Sequence, residues 1–210
     1  LFKRFAGIDA WPLCLDTQDP DQIVEIVRAI APGFGGINLE DISAPRCFEI
    51  EARLREILDI PVFHDDQHGT AIVVLAALTN ALRVVGKKMS DVRVVMSGAG
   101  AAGTAILKVL LEAGVTDVVV ADIEGVIHRD RPGLHESLHW LAEATNKASV
   151  TGSLRDALVG ADVFIGVSAP NILTGDDVST MADGSIVFAL ANPVPEVDPA
   201  AARRHAAVVA

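Results

Sequence analysis

The chain has 210 residues, half of them hydrophobic, and its 17 Lys and Arg against 28 Asp and Glu give a formal net charge of −11. Disordered proteins are poor in apolar residues, so this composition excludes an intrinsically disordered chain. The acidic balance argues against nucleic acid and against an anionic membrane surface as partners, because clustered Lys and Arg bind both. Residue 1 is Leu and the sequence contains no tyrosine, so we expect a piece of a longer protein.

The apolar runs and the cysteines indicate a soluble, cytoplasmic protein. The longest apolar run, Ala71–Leu78, has eight residues, whereas a membrane helix needs about 20. We therefore expect a buried helix and no membrane partner. Cys14 and Cys47 could form one disulfide, but two reduced thiols in a cytoplasmic protein are the simpler interpretation.

The first part of the chain alternates helices with short strands. Asp19-Pro20 is typical of a helix start, with Asp as the N-cap and Pro at the first helical position. The predicted elements are, in chain order, a helix at 20–30, a strand at 35–39, a helix at 45–58, a strand at 61–63 and a helix at 69–85.

The remainder of the chain continues the alternation. The predicted elements are a strand at 92–96, a glycine turn at 97–103, a helix at 104–113, a strand at 117–121, a polar loop at 123–132, helices at 133–146 and 154–159, strands at 163–166 and 186–190, and the opening of another strand at 208–210. This pattern predicts an α/β fold.

Two of the predicted strands end in paired acidic residues, Glu40-Asp41 and Asp65-Asp66. Adjacent carboxylates repel each other, and a divalent cation such as Mg²⁺ or Mn²⁺ removes that cost. Acidic residues after strands also act as ordinary helix caps. The pattern alone leaves both interpretations open.

His64 and His68 lie four residues apart, as in the zinc motif H-E-x-x-H. That motif needs a helix interior and Glu at its second position, whereas this segment follows a strand and carries Asp65. We therefore expect the two histidines to be polar residues at the rim of a site.

The segment Gly98–Gly103 fits the dinucleotide-binding pattern G-x-G-x-x-G. Its glycines permit a sharp turn, a close approach of the backbone to a pyrophosphate, and close packing of helix on strand. The loop follows a predicted strand and opens a predicted helix, whose N-terminus favours an anion. Asp122 ends the next strand, where an acceptor for the ribose hydroxyls is expected.

Taken together, these motifs resemble the malic enzyme family in its smaller bacterial form. The segments that carry the resemblance are Phe34–Phe48, Pro61–Ala71, Ser97–Gly103 and Phe188–Pro193. The resemblance implies a Rossmann-type, doubly wound and mostly parallel sheet at 67–210, truncated at its C-terminus. Residues 1–66 would be the C-terminal part of a smaller N-terminal domain that binds substrate and metal.

The implied reaction is the oxidative decarboxylation of L-malate to pyruvate and CO₂, with NAD or NADP and with Mg²⁺ or Mn²⁺. By the same resemblance, Glu40, Asp41 and Asp66 are metal ligands, and Asp65 orients a catalytic lysine. Asn192 contacts both substrate and nicotinamide. The other implied cofactor contacts are Thr70, Gly98, Ala99, Gly100, Ala101, Ala102, Gly103, Asp122, Ser168 and Ala169. We also expect a homodimer or a larger homo-oligomer.

The resemblance also implies what this chain lacks. The family's general-acid tyrosine and its catalytic lysine would both precede Leu1. The chain by itself could therefore be a metal- and dinucleotide-binding fragment without turnover. A third alternative is a Rossmann dehydrogenase of another family, in which Glu40 and Asp41 are only caps.

The sequence favours NAD over NADP. A carboxylate at Asp122 repels a 2′-phosphate, and neither Ile123 nor Glu124 supplies a compensating cation. Arg129 and Arg131 could supply one from the following loop.

Overall fold

The computed structural model describes residues 1–43 and 45–210, and the side chains of Asp66 and Ser137 lie outside that description. The chain divides into two compact units, Leu1–His64 and Asp65–Ala210.

The first unit packs two helices against a two-stranded parallel sheet. Its elements are α1 (Phe2–Ala6), α2 (Pro20–Ile30), a 3₁₀ turn (Ala31–Gly33), β1 (Ile37–Leu39), α3 (Arg46–Ile57) and β2 (Val62–His64). The α2 bounds agree with the prediction, because the Asp19 side chain accepts the N–H groups of Asp21 and Gln22. Apolar residues of α2, α3 and both strands form the core of this unit.

The second unit is built on a six-stranded sheet. Its elements are a π-helical turn (Asp65–Gly69), α4 (Thr70–Val85), β3 (Arg93–Ser97), α5 (Ala101–Glu112), β4 (Asp117–Asp122), β5 (Gly125–Val126), a 3₁₀ turn (Glu136–Leu138), α6 (His139–Ala144), α7 (Leu154–Leu158), β6 (Val163–Gly166), α8 (Gly175–Ser179), β7 (Ile186–Ala189), α9 (Pro199–Ala202) and β8 (Val208–Val209). The strand order is β5-β4-β3-β6-β7-β8. Every pairing is parallel except that of β4 with β5.

Helices cover both faces of this sheet. One face packs against α4, α5 and α6, and the other packs against α7, α8 and α9. After β4 the chain crosses to the opposite side of β3, so the strand order reverses there. The predicted doubly wound, mostly parallel α/β sheet is confirmed.

The first helix of the second unit is strongly apolar. Within the described residues, the segment Gln67–Val85 is the one helix long and apolar enough to cross a membrane by length and composition. One such helix is weak evidence of a membrane span, because core helices pass the same test. The helix α4 buries Ala71, Val74 and Leu78 in the core.

Three local predictions are wrong. The helix expected at 133–146 is reduced to a 3₁₀ turn and the short α6, because Gly133 has a left-handed φ of 70° and none of the described side chains at 133–140 is buried. The loop expected at 123–132 contains β5, which a two-residue turn folds back beside β4. The helix after the glycine loop begins at Ala101, three residues earlier than predicted.

Candidate functional site

The glycine loop joins β3 to α5, and at two of its glycines the backbone lies very close to a neighbouring carbonyl oxygen. Gly98 has a φ of 111°, and a Cβ there would lie 2.6 Å from the Val167 carbonyl oxygen. A Cβ on Gly103 would collide with the Gly98 carbonyl oxygen. Both positions therefore require glycine for steric reasons.

Gly100 differs from the other two glycines of the motif. It is the N-cap of α5, it is exposed, and apart from its two chain neighbours no residue has an atom within 4 Å of the position that its Cβ would occupy. The fold alone does not require glycine here. The open space lies at the end of a helix whose first N–H groups have no partner inside the helix, so it fits an anion such as a pyrophosphate.

Asp122 ends β4, the strand beside β3, and it is held by an arginine. Arg131 Nη2 lies 2.7 Å from Asp122 Oδ2, and Nη1 lies 3.0 Å from Oδ1. Both side chains are mostly buried, with 10% of Arg131 and 16% of Asp122 exposed. The hydrogen bonds that Arg131 donates to Asp122 raise the pKa of Arg131 above its ordinary value.

Arg129 and Arg131, the two arginines that could supply a cation near Asp122, have different partners. Arg129 donates to the Glu143 carbonyl oxygen, whereas Arg131 binds Asp122 and Glu124. Arg131 is therefore the cation beside the predicted ribose acceptor. Because its guanidinium offsets the Asp122 charge, the repulsion expected between Asp122 and a 2′-phosphate is weakened.

Ser168, Ala169 and Asn192 follow β6 and β7, on the other side of β3 from Asp122. All three are exposed. The Ser168 hydroxyl lies 2.7 Å from that of Ser97, the residue before Gly98. The carboxyl edge of one parallel sheet thus brings together the predicted cofactor contacts from Gly98 to Asn192.

The structure reveals one residue at this edge that the sequence reasoning missed. Glu196 is fully buried, and its carboxylate accepts hydrogen bonds from Ser168 and from the backbone N–H of Ala191. It lies outside every motif of the sequence, and its position after Asn192 and Pro193 was the only signal that could have found it.

Thr70 and Asp65 lie at the start of α4. Asp65 opens the π-helical turn, a structure that is frequent at functional sites, and this turn packs against α5. The exposed Asp65 carboxylate lies so close to Gly69 that a Cβ on Gly69 would collide with it. Thr70 begins the following helix. The roles of both residues stay predictions.

The predicted metal ligands Glu40 and Asp41 follow β1 in the first unit, and both are exposed. Asn38 donates to Glu40 Oε2 over 2.9 Å, and the Asn38 Oδ1 atom is buried without a hydrogen-bond partner in the described residues. Asp41 has a left-handed φ of 56°. The side chain of Asp66 lies outside the described residues, and the described side chains contain no group of three His, Cys, Asp or Glu that could hold a metal.

His64 departs from its predicted position at a site rim. It is fully buried at the end of β2, where it pairs in register with Leu39. In the described part of the chain, neither ring nitrogen has a hydrogen-bond partner. The rim expectation is therefore wrong for His64, because strand pairing places this residue in the interior.

Comparison with known proteins identifies the protein family that this chain resembles. The family model described as "Malic enzyme, NAD binding domain" matches residues 67–207, and "Malic enzyme, N-terminal domain" matches residues 1–55. An NAD-dependent malic enzyme of Geobacillus stearothermophilus is 60% identical over all of this chain, which covers 44% of that relative. An NADP-dependent malic enzyme of Escherichia coli is 50% identical over 97% of this chain and 27% of its own length.

A solved structure has the same fold. The NAD-dependent malic enzyme of Thermotoga maritima superposes with a TM-score of 0.95 at 50% identity, over all of this chain and 56% of that one. The chain therefore spans about half the length of this structure and less than half of the two relatives above.

The second and third glycines of the loop, Gly100 and Gly103, give a first testable prediction. Gly103→Ala drives a Cβ into the Gly98 carbonyl and is expected to lower the free energy of unfolding by about 1–3 kcal/mol, as overpacking does. Gly100→Ala points a Cβ into open space and loses only the preference of an N-cap for glycine over alanine, so it is expected to lower the free energy of unfolding by about 0.5–1 kcal/mol. It is also expected to weaken NADH binding at least tenfold.

Thermal unfolding and NADH fluorescence titration of both variants check this prediction. Gly100→Ala serves as the stability control for Gly103→Ala. Unchanged NADH affinity in Gly100→Ala would contradict the assignment of the α5 N-terminus to the pyrophosphate.

Proposed function

The chain belongs to the malic enzyme family, and we propose that the longer protein containing it oxidatively decarboxylates L-malate to pyruvate and CO₂ while reducing NAD or NADP. The observation that carries the proposal is the glycine loop at the N-terminus of α5, with Asp122 at the end of the next strand. The family membership removes the alternative of a Rossmann dehydrogenase from another family. A cytoplasmic location and a homodimer or larger homo-oligomer stay predictions.

The chain's own residues account for the binding half of this reaction. The N–H groups at the start of α5 bind the pyrophosphate, Asp122 accepts from the ribose hydroxyls, and Asn192 contacts substrate and nicotinamide. The bound NAD or NADP supplies the hydride acceptor. Asp65 holds the lysine that takes the hydroxyl proton, and that lysine is expected to lie outside the 210 residues.

A divalent metal completes the proposal. Carboxylate oxygens are the donors that Mg²⁺ and Mn²⁺ prefer, and Glu40 and Asp41 supply them side by side in the first unit. Asn38 orients the Glu40 carboxylate through its hydrogen bond. Asp66 as a third ligand depends on the sequence resemblance. The bound metal would supply a Lewis acid for the substrate oxygens.

We propose that the protein prefers NAD to NADP and that Arg131 makes this preference weaker. Asp122 can accept from a ribose diol while Arg131 holds it, because a carboxylate has about four lone-pair sites. The same ion pair reduces the repulsion of a 2′-phosphate. The names of the relatives above include both NAD- and NADP-dependent enzymes.

Arg131→Gln tests the cofactor proposal. Without the guanidinium, the Asp122 charge is uncompensated, so we expect NADPH affinity to fall at least tenfold relative to NADH affinity. Fluorescence titration with both nucleotides measures the ratio. Arg129→Gln is the control, since Arg129 donates to a backbone carbonyl. An unchanged ratio in Arg131→Gln would show that this arginine has no part in cofactor choice.

Removing the proposed metal ligands tests the metal. Glu40→Gln and Asp41→Asn are each expected to weaken Mn²⁺ binding to the longer protein by at least about thirtyfold, which corresponds to about 2 kcal/mol. Calorimetric titration with Mn²⁺ measures this effect. Glu25→Gln is the control, because Glu25 is an exposed acid that pairs with Arg28 on the surface of α2. Full Mn²⁺ affinity in both variants would refute the metal assignment.

An activity assay of the 210 residues alone tests whether this chain is only a binding fragment of an enzyme. Loss of a general acid or base costs about 10²–10⁴ in rate, so the 210 residues with malate, Mn²⁺ and NAD are expected to turn over at least about a thousandfold more slowly than the longer protein. They should still bind NADH. Turnover near that of the longer protein would mean that the acid and the base lie within this chain.

A further inference from the structure

The second unit buries one carboxylate at the edge of the sheet where the predicted cofactor contacts lie. Glu196 is 0% exposed and follows β7 by a few residues. A buried carboxylate is costly unless hydrogen bonds compensate for the lost water. Its partners therefore indicate what the residue does.

The two oxygens of Glu196 bind two different loops. Oε1 accepts the backbone N–H of Ser168 over 2.8 Å and its hydroxyl over 3.4 Å. Oε2 accepts the backbone N–H of Ala191 over 3.0 Å. One side chain thus connects the loop that follows β6 to the loop that follows β7.

Further contacts fix the same two loops. The N–H of Leu173 donates to the Glu196 carbonyl, and the N–H of Asn171 donates to the Pro195 carbonyl, both over 3.0 Å. Gly166, the last residue of β6, leaves room for this side chain, because a Cβ there would collide with Glu196. The strand end is therefore shaped around the carboxylate.

These loops lie on one side of the reversal in strand order. A dinucleotide binds across such a reversal, with one mononucleotide on each side. Asp122 ends β4, on the side proposed for the adenosine ribose. Ser168 and Asn192 follow β6 and β7, so their side receives the nicotinamide half.

We propose that Glu196 is a positioning residue for the nicotinamide half of the cofactor. It holds Ser168 through one oxygen and the N–H of Ala191, the residue before Asn192, through the other, and it acts without touching the cofactor itself. This inference rests on the proposed function, since it requires a bound NAD or NADP.

Glu196→Gln provides the test. The amide has nearly the shape of the carboxylate but replaces one oxygen by an NH₂ donor, which faces an N–H donor of one loop. We expect NADH affinity to fall at least tenfold. Affinity for ADP-ribose, which lacks the nicotinamide, should stay within twofold. In the longer protein, kcat for malate oxidation should fall at least tenfold.

Asp177→Asn is the matched control. The Asp177 carboxylate also accepts a backbone N–H and a hydroxyl from one residue, Thr174, each over 2.7 Å. It caps α8 through Thr174, at the far end of the loop that follows β6, and in the described residues its hydrogen bonds reach neither Ser168 nor Ala191. Thermal unfolding of both variants separates a loss of stability from a loss of binding. Glu196→Asp keeps the charge but retracts it by one methylene, so it should show the same selective loss.

The outcomes are distinguishable. Equal losses of NADH and ADP-ribose affinity, or unchanged affinity for both, would overturn the positioning role while leaving the proposed function intact. If the unsubstituted protein binds neither NADH nor ADP-ribose, the proposed function fails and this inference fails with it. A selective loss of NADH in both Glu196 variants, absent in Asp177→Asn, supports the inference.

Discussion

The close approach of Gly103 to the Gly98 carbonyl oxygen determines how α5 leaves the sheet. Because no side chain fits between the two residues, the helix begins directly at the carboxyl edge of β3. Its free N–H groups then face the open space beside Gly100, which is where an anion is best bound. In the proposed function, Asp122 on one side and the β6 and β7 loops on the other contact the cofactor around this turn, which fixes their positions relative to α5.

This arrangement explains how an acidic chain can bind an anionic cofactor. The net charge of −11 opposes any long-range attraction, so binding depends on local groups. The N-terminus of α5 offers backbone N–H groups, and Arg131 offsets the charge of Asp122. Glu196 is buried against N–H donors, so its charge acts on the protein's own backbone. The acidic composition that argues against a nucleic-acid partner is thus compatible with a dinucleotide.

Much of the fold could be predicted because its signals are local. Asp19-Pro20 marks the start of α2, and the glycine loop between two β-branched runs marks the central turn of the sheet. The strand β5 could not be predicted, since two residues carry no periodicity. The length of α6 depends on which residues the core buries. Glu196 could not be predicted because one of its two partners, Ser168, lies 28 residues earlier in the sequence. The sequence indicates Arg131 only as one of two possible cations near a 2′-phosphate, and nothing in it predicts the ion pair with Asp122.

The central claim is that the N-terminus of α5 and Asp122 hold the dinucleotide of a malic enzyme. A crystal structure of this chain with NADH tests it most directly. The account predicts a pyrophosphate hydrogen-bonded to the backbone N–H groups at the start of α5, with the adenosine ribose on Asp122 and the nicotinamide beside Asn192. A pyrophosphate bound elsewhere, or a ribose without contact to Asp122, would contradict it.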